Sequence, residues 1–215
     1  MEKELKINWT LDPVLEDTKE LPSDKPGKRR TVECTEMSLK YLYRRAFSEA
    51  ALLDACSPSI LDLEPGRCYN FLTAGDVDSL SYLKVILLHQ RLSHCLCSTW
   101  CMAAEDILQL ITWHEEGKIG SLDMYVGEIF PNQYRIEWQM LLDYYQKHPD
   151  LGRLCVFRNH SKIYAGTGEK FSFGIQTSAN INTNPRTENG CIIIDDGIYH
   201  FYKDYFDGII SFEKI

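Results

Sequence analysis

The chain has 215 residues, 44% of them hydrophobic, and a formal net charge of -8. That is enough apolar material for one sizeable core, and the acidic balance excludes a broad basic surface for gripping a polyanion. No apolar run reaches the length of a membrane span, and Met1-Glu2-Lys3-Glu4 does not open a signal peptide, so the expected setting is cytoplasmic with no membrane partner.

Residues 1 to about 35 mix prolines, charges and small polar residues with little periodicity, and read as an extended arm. Residues 36–65 are expected to hold a helix, Ser38 to Cys56, with Leu39, Leu42, Phe47 and Leu52 on one face, and then a turn-rich link from Pro58 to Gly66. Basic residues gather locally at Lys25 to Arg30 and at Lys40, Arg44 and Arg45, as solvated faces that would flank any site meeting a polyanion.

From residue 66 to 215 strands and helices alternate, which marks one domain. Cys68 to Thr73 reads as a strand, and Asp76 as the cap of a helix running to about Arg91. Ser93 to Thr99 is the next strand, followed by a helix from Met102 to about Glu116 that ends at Gly117. Leu122 to Phe130 is a strand, and Asn132 to His148 a helix stopped by Pro149. Strands are then expected over 153–165, 171–181 and Gly190 to Asp195, with a last helix through Tyr199 to Phe206. The alternation predicts an α/β fold, an α/β/α sandwich built on a mixed, mostly parallel sheet. There is no internal repeat.

Eight cysteines occur, mostly in apolar contexts such as Cys68, Cys155 and Cys191. Without a signal peptide they read as reduced thiols. His94, Cys95, Cys97 and Cys101 lie close together but lack paired CxxC spacing, so neither a metal nor any other cofactor is expected.

The most informative stretch is His160-Ser161-Lys162, then Thr177-Ser178-Ala179-Asn180, then Arg186-Thr187-Glu188-Asn189. It assembles an imidazole, a cation, a hydroxyl, an amide and a carboxylate, the groups needed to hold and attack a phosphodiester. On strands, residues two apart share a face, so His160 pairs with Lys162 and Ser178 with Asn180. An imidazole attacking phosphorus divides a difficult hydrolysis into two displacements. Lys162 and Asn180 supply donors for the phosphoryl oxygens, and Glu188 on one ring nitrogen would fix the His160 tautomer.

This constellation resembles the phospholipase D superfamily, whose motif is HxK, usually with four residues and an Asp, followed by GSxN and a downstream Glu. The resemblance, over residues 66–215, implies His160 as the nucleophile, Lys162 and Asn180 as a phosphate clamp assisted by Ser178, and Glu188 as the orienting carboxylate. Arg158 and Arg186 stand beside the motif as further substrate-binding cations. Two departures exist: Thr167 occupies the Asp position, and Thr177 that of the motif's first Gly. The family's site uses two His-x-Lys motifs, one His attacking while the other protonates the leaving oxygen. This chain has a single one, so a homodimer joined through the motif face is expected, with Asn182 to Arg186 at the interface. The implied function is a metal-independent phosphodiesterase, acting on nucleic acid. The competing readings are a catalytically retired domain that binds nucleic acid or serves in assembly, and a site completed by a different chain.

Overall fold

The computed structural model describes residues 47–74, 77–181 and 186–213. All of them belong to one unit, Tyr41–Ile215. The N-terminal arm, the basic clusters at 25–30 and 40–45, Asp76 and residues 182–185 lie outside the described residues.

The described part of helix α1 covers residues 47–55, and an irregular link leads into strand β1, Arg67–Thr73. Helix α2 is Ser79–His89, started by Asp78, whose carboxylate accepts the Ser81 N–H at 2.9 Å. Strand β2, Leu92–Thr99, leads to α3, Ala104–Glu115, and then to β3, Ile119–Gly127. The long helix expected over 132–148 is two, α4 at Phe130–Gln133 and α5 at Arg135–Lys147. Pro131 sits in the first turn of α4, so the chain turns helical before Asn132 and takes Phe130 out of the preceding strand. Strands β4, Leu154–Phe157, β5, Ile163–Gly168, β6, Ser172–Thr177, and β7, Glu188–Ile194, precede the last helix, α6, Asp196–Asp207.

The seven strands form one sheet in the order β1-β7-β6-β5-β2-β3-β4. The α/β class and the mixed sheet are as expected; the balance of directions is not. Only β2–β3 and β3–β4 are parallel, while β1–β7, β6–β7, β5–β6 and β2–β5 are antiparallel. The reason is connection length. Three residues separate β5 from β6, and a link that short joins only antiparallel neighbours, whereas the parallel strands are joined through α3 and α5.

Side chains alternate between two cores. Cys95, Cys97, Met124, Val126, Val156, Tyr164, Ile175 and Ile192 face α2, α3 and α5. Leu96, Tyr125, Cys155 and Ala165 face α6, which contributes Tyr199, Tyr202 and Phe206. Helices therefore cover both faces, as the sandwich reading expects. At Gly190 an added Cβ would lie 2.4 Å from Cζ of the buried Tyr82, so only glycine lets α2 pack against β7 there. Arg153 fastens α6 at its other end. Its guanidinium donates to the carbonyls of Phe206, Asp207 and Ile209 at 3.2, 2.9 and 2.8 Å, satisfying a helix C-terminus. Beyond α6 the chain covers part of edge strand β4, where Phe212 N donates to Val156 O at 2.7 Å.

Candidate functional site

The directions of the strands bring one end of the sheet to chemical use. β2, β3, β4, β6 and β1 finish there, at Thr99, Gly127, Phe157, Thr177 and Thr73, and β5 and β7 begin there, at Ile163 and Glu188. Carboxyl ends of strands expose side chains from several elements to one place, the usual position of a site in an open α/β sheet.

The strand expected over 153–165 is broken at its middle. β4 is an edge strand and β5 an inner one, so residues 158–162 must cross the ends of β3 and β2. Asn159 holds that crossing. Its buried amide donates to Ser98 Oγ at 2.9 Å, Thr99 O at 3.2 Å and Tyr125 O at 3.0 Å, and its Oδ1 accepts the Ser161 N–H at 2.9 Å. Every polar group of the amide is used, which makes Asn159 a clamp between the loop and both strand ends. No sequence signal separated it from an ordinary polar loop residue.

His160 and Lys162 are therefore loop residues, and strand alternation is not what joins them. The exposed His160 ring leans on Trp100, centroids 5.3 Å apart. Lys162 folds back: its Nζ lies 2.7 Å from the His160 carbonyl oxygen, 3.1 Å from Nδ1 and 3.4 Å from Nε2. An ammonium can only donate, and its near-equal distances to the two ring nitrogens place it against the imidazole without selecting one of them. Lys162 is 8% exposed, and burial pulls its pKa below the usual lysine value, against the opposing pull of Cys101 and Glu188. Trp100 also escaped the sequence reading, because an aromatic after a strand carries no positional signal of its own.

β6 stops at Thr177, short of the expected 181, so Ser178 and Asn180 follow the strand. Thr177 N donates to Lys162 O at 3.2 Å, which sets the two motif segments side by side. The Ser178 hydroxyl donates to Glu188 Oε2, and Ser178 Oγ accepts the Asn189 N–H at 3.0 Å. Asn180 is anchored through its backbone oxygen, which accepts the Ser79 N–H at 3.2 Å. Its Oδ1 is buried without a hydrogen-bond partner among the described residues.

The structure thus brings His160 against Lys162, and Ser178 against Glu188, at one edge. An open cleft of about 450 Å³ is lined by His160, Ser161, Lys162, Ile163, Gln176, Thr177 and Ser178. The expected contact from Glu188 to a ring nitrogen of His160 is not among the hydrogen bonds of the described residues; the Ser178 hydroxyl meets that carboxylate instead. Asn180 does not line the cleft. Arg158 and Arg186 are both exposed, Arg158 on the crossing loop beside His160 and Arg186 ahead of β7.

The four residues His94, Cys95, Cys97 and Cys101 do not converge. Cys95 and Cys97 pack in the core under α2, α3 and α5, while His94 faces the opposite side, where its ring bridges Asp123 Oδ2 and Tyr199 OH, each at 3.0 Å. Burial raises the Asp123 pKa, but the His94 ring and the Arg153 N–H at 2.6 Å outweigh it and hold the carboxyl below the usual aspartate value.

No family model and no curated protein matches the chain. Solved structures match in shape. Polyphosphate kinase from Porphyromonas gingivalis has a TM-score of 0.50 and 12% identity, over 69% of this chain and 27% of that one. TrmBL2, an archaeal chromatin protein whose structure shows a novel mode of DNA binding, has a TM-score of 0.48 and 13% identity, over 81% of this chain and 64% of that one. Phosphatidylserine synthase from Haemophilus influenzae has a TM-score of 0.47 and 13% identity, over 65% and 37%. The chain spans less than two thirds of the length of each of the three. Likeness at these identities concerns architecture alone, a mixed α/β sheet with helices on both faces.

Proposed function

We propose that the edge cluster binds a phosphodiester and that His160 is its nucleophile, in a metal-independent phosphodiesterase acting on nucleic acid. The observation that carries this reading is the Lys162 ammonium seated on the His160 ring, with Nζ 3.1 Å from Nδ1, over an open cleft. A phosphoryl oxygen entering the cleft would draw that ammonium to itself and release the ring for attack. A ring nitrogen then forms a bond to phosphorus as the leaving alkoxide departs and takes a proton. Water next attacks the phosphohistidine and restores the imidazole. The proton donor in the first step is His160 of a second copy, since the sequence supplies a single His-x-Lys pair and a symmetric dimer places identical residues across its axis.

A second reading has its own observation. The Ser178 hydroxyl donates to Glu188, the carboxylate that would have to orient the His160 ring for attack. A retired domain that binds phosphate without turnover would keep this arrangement. The two are separated by bis(p-nitrophenyl) phosphate in EDTA. Turnover that persists in the chelator and disappears in His160→Ala supports the enzyme. Saturable phosphate binding without turnover supports the binding domain.

A further inference from the structure

A second cavity opens on the other side of His160. It has a volume of about 380 Å³ and lies between the crossing loop and α6, with Phe157, Arg158, Ile163, Phe201 and Tyr205 among its walls. His160, Ser161 and Ile163 line both this groove and the cleft. Gln176, in the cleft, donates to the hydroxyl of Tyr202, in the groove, so the two hollows share a wall as well as a rim. Phe201 and Tyr205 sit one helical turn apart on α6 and are 64% and 60% exposed, although neighbouring Tyr202 and Phe206 are buried. The two rings touch their buried neighbours Tyr202 and Phe206 edge-on, at 5.3 Å between centroids each, and leave most of their surface to solvent beside a cleft that holds Lys162.

A ligand that fills both hollows must carry a phosphodiester next to a flat apolar group. We propose that the groove is a stacking platform for an unpaired nucleobase, so that the substrate of the cleft is single-stranded nucleic acid. The inference rests on the phosphodiester reading of the cleft. One phosphate lies at Lys162, the adjoining base stacks on Phe201 or Tyr205, and the next phosphate meets the exposed Arg158 guanidinium. A paired base is stacked on both faces within its own helix and cannot enter, whereas a base from a single strand can. The chain's charge of -8 fits this mode, because stacking with two cations replaces the broad basic face that duplex binding requires.

The test uses the intact protein, a fluorescein-labelled single-stranded oligo-dT, the corresponding dT·dA duplex, phosphatidylglycerol vesicles and inorganic phosphate. Phe201→Ala and Tyr205→Ala remove exposed rings and leave the core filled. Each is expected to weaken oligo-dT binding on the order of tenfold, the contribution of one stacked base, and by more than it weakens binding of inorganic phosphate measured by calorimetry. With two phosphate contacts the logarithm of the affinity should fall with that of salt at a slope of about -1.4. Oligo-dT affinity equal to wild type in both variants overturns the platform, as does duplex bound as tightly as single strand, or ring-dependent binding of the vesicles in place of oligo-dT. If inorganic phosphate does not bind the wild-type protein at all, the phosphodiester reading itself falls, and the platform with it.

Discussion

Lys162 Nζ lies 2.7 Å from the carbonyl oxygen of His160 and 3.1 Å from its Nδ1, so a buried cation and an exposed imidazole two residues apart share one proton-donating contact. The contact exists because residues 158–162 cross strand ends instead of continuing a strand. It seats the charge of the cleft directly on the ring that lines it.

The crossing depends on Asn159. Asn159→Asp keeps the shape but turns a donor into a carboxylate facing the carbonyls of Thr99 and Tyr125. We expect a loss of about 2–3 kcal/mol in urea denaturation, the cost of a buried group left unpaired, together with weaker phosphate binding. A variant as stable as wild type would remove Asn159 from its clamping role.

Lys162 sets the alkaline limit of ligand binding. Burial lowers its folded pKa, so its ammonium is lost at a lower pH than that of an exposed lysine. Affinity for dimethyl phosphate, whose single charge is constant in this range, should decline before the usual lysine value, about 10.4, is reached. Lys162→Met should flatten that decline and bind dimethyl phosphate weakly at every pH. Isothermal titration across pH 7 to 10 would measure both.

Asp123 links α6 to the sheet through His94 and the Arg153 N–H. Its carboxyl pKa is lowered in the folded chain, so its contribution is complete above the unfolded value, about 3.9, and is lost as pH falls through the folded one. Thermal melts below about pH 4 should show a steep acid limb that Asp123→Asn flattens. An unchanged limb in the variant would place the acid sensitivity elsewhere.

The dimer is tested by dilution. Turnover per chain should fall once the protein is diluted below the dimer dissociation constant, and mixing His160→Ala with Lys162→Ala chains should not restore it, because every mixed site still lacks an essential group. Full turnover by a strictly monomeric protein would contradict a shared site.

Most of the architecture was legible in the sequence, because the short apolar runs in 93–99 and 190–195 and the helical stretch of 102–116 are each bounded by turn or polar residues. The motif region was harder. Leu154-Cys155-Val156-Phe157 and Ile163-Tyr164 are strand-like on both sides of the crossing, and only packing at the ends of β2 and β3 decides that Asn159 leaves the strand. The antiparallel pairing of β5 with β6 was signalled by Glu169-Lys170-Phe171, a link too short for any crossover. The spacing of Ser178, Asn180 and Glu188 brought them to one edge, but the choice of Ser178 as the partner of Glu188 is a matter of side-chain rotamers, to which sequence spacing is blind.

The central claim is that His160 attacks phosphorus, and trapping the intermediate tests it most directly. Protein mixed with bis(p-nitrophenyl) phosphate in EDTA, quenched with alkali and digested, should yield an acid-labile p-nitrophenyl phosphoryl adduct on the peptide containing His160, absent in His160→Ala. Turnover with no adduct on that peptide, or an adduct of equal yield in His160→Ala, would contradict the account.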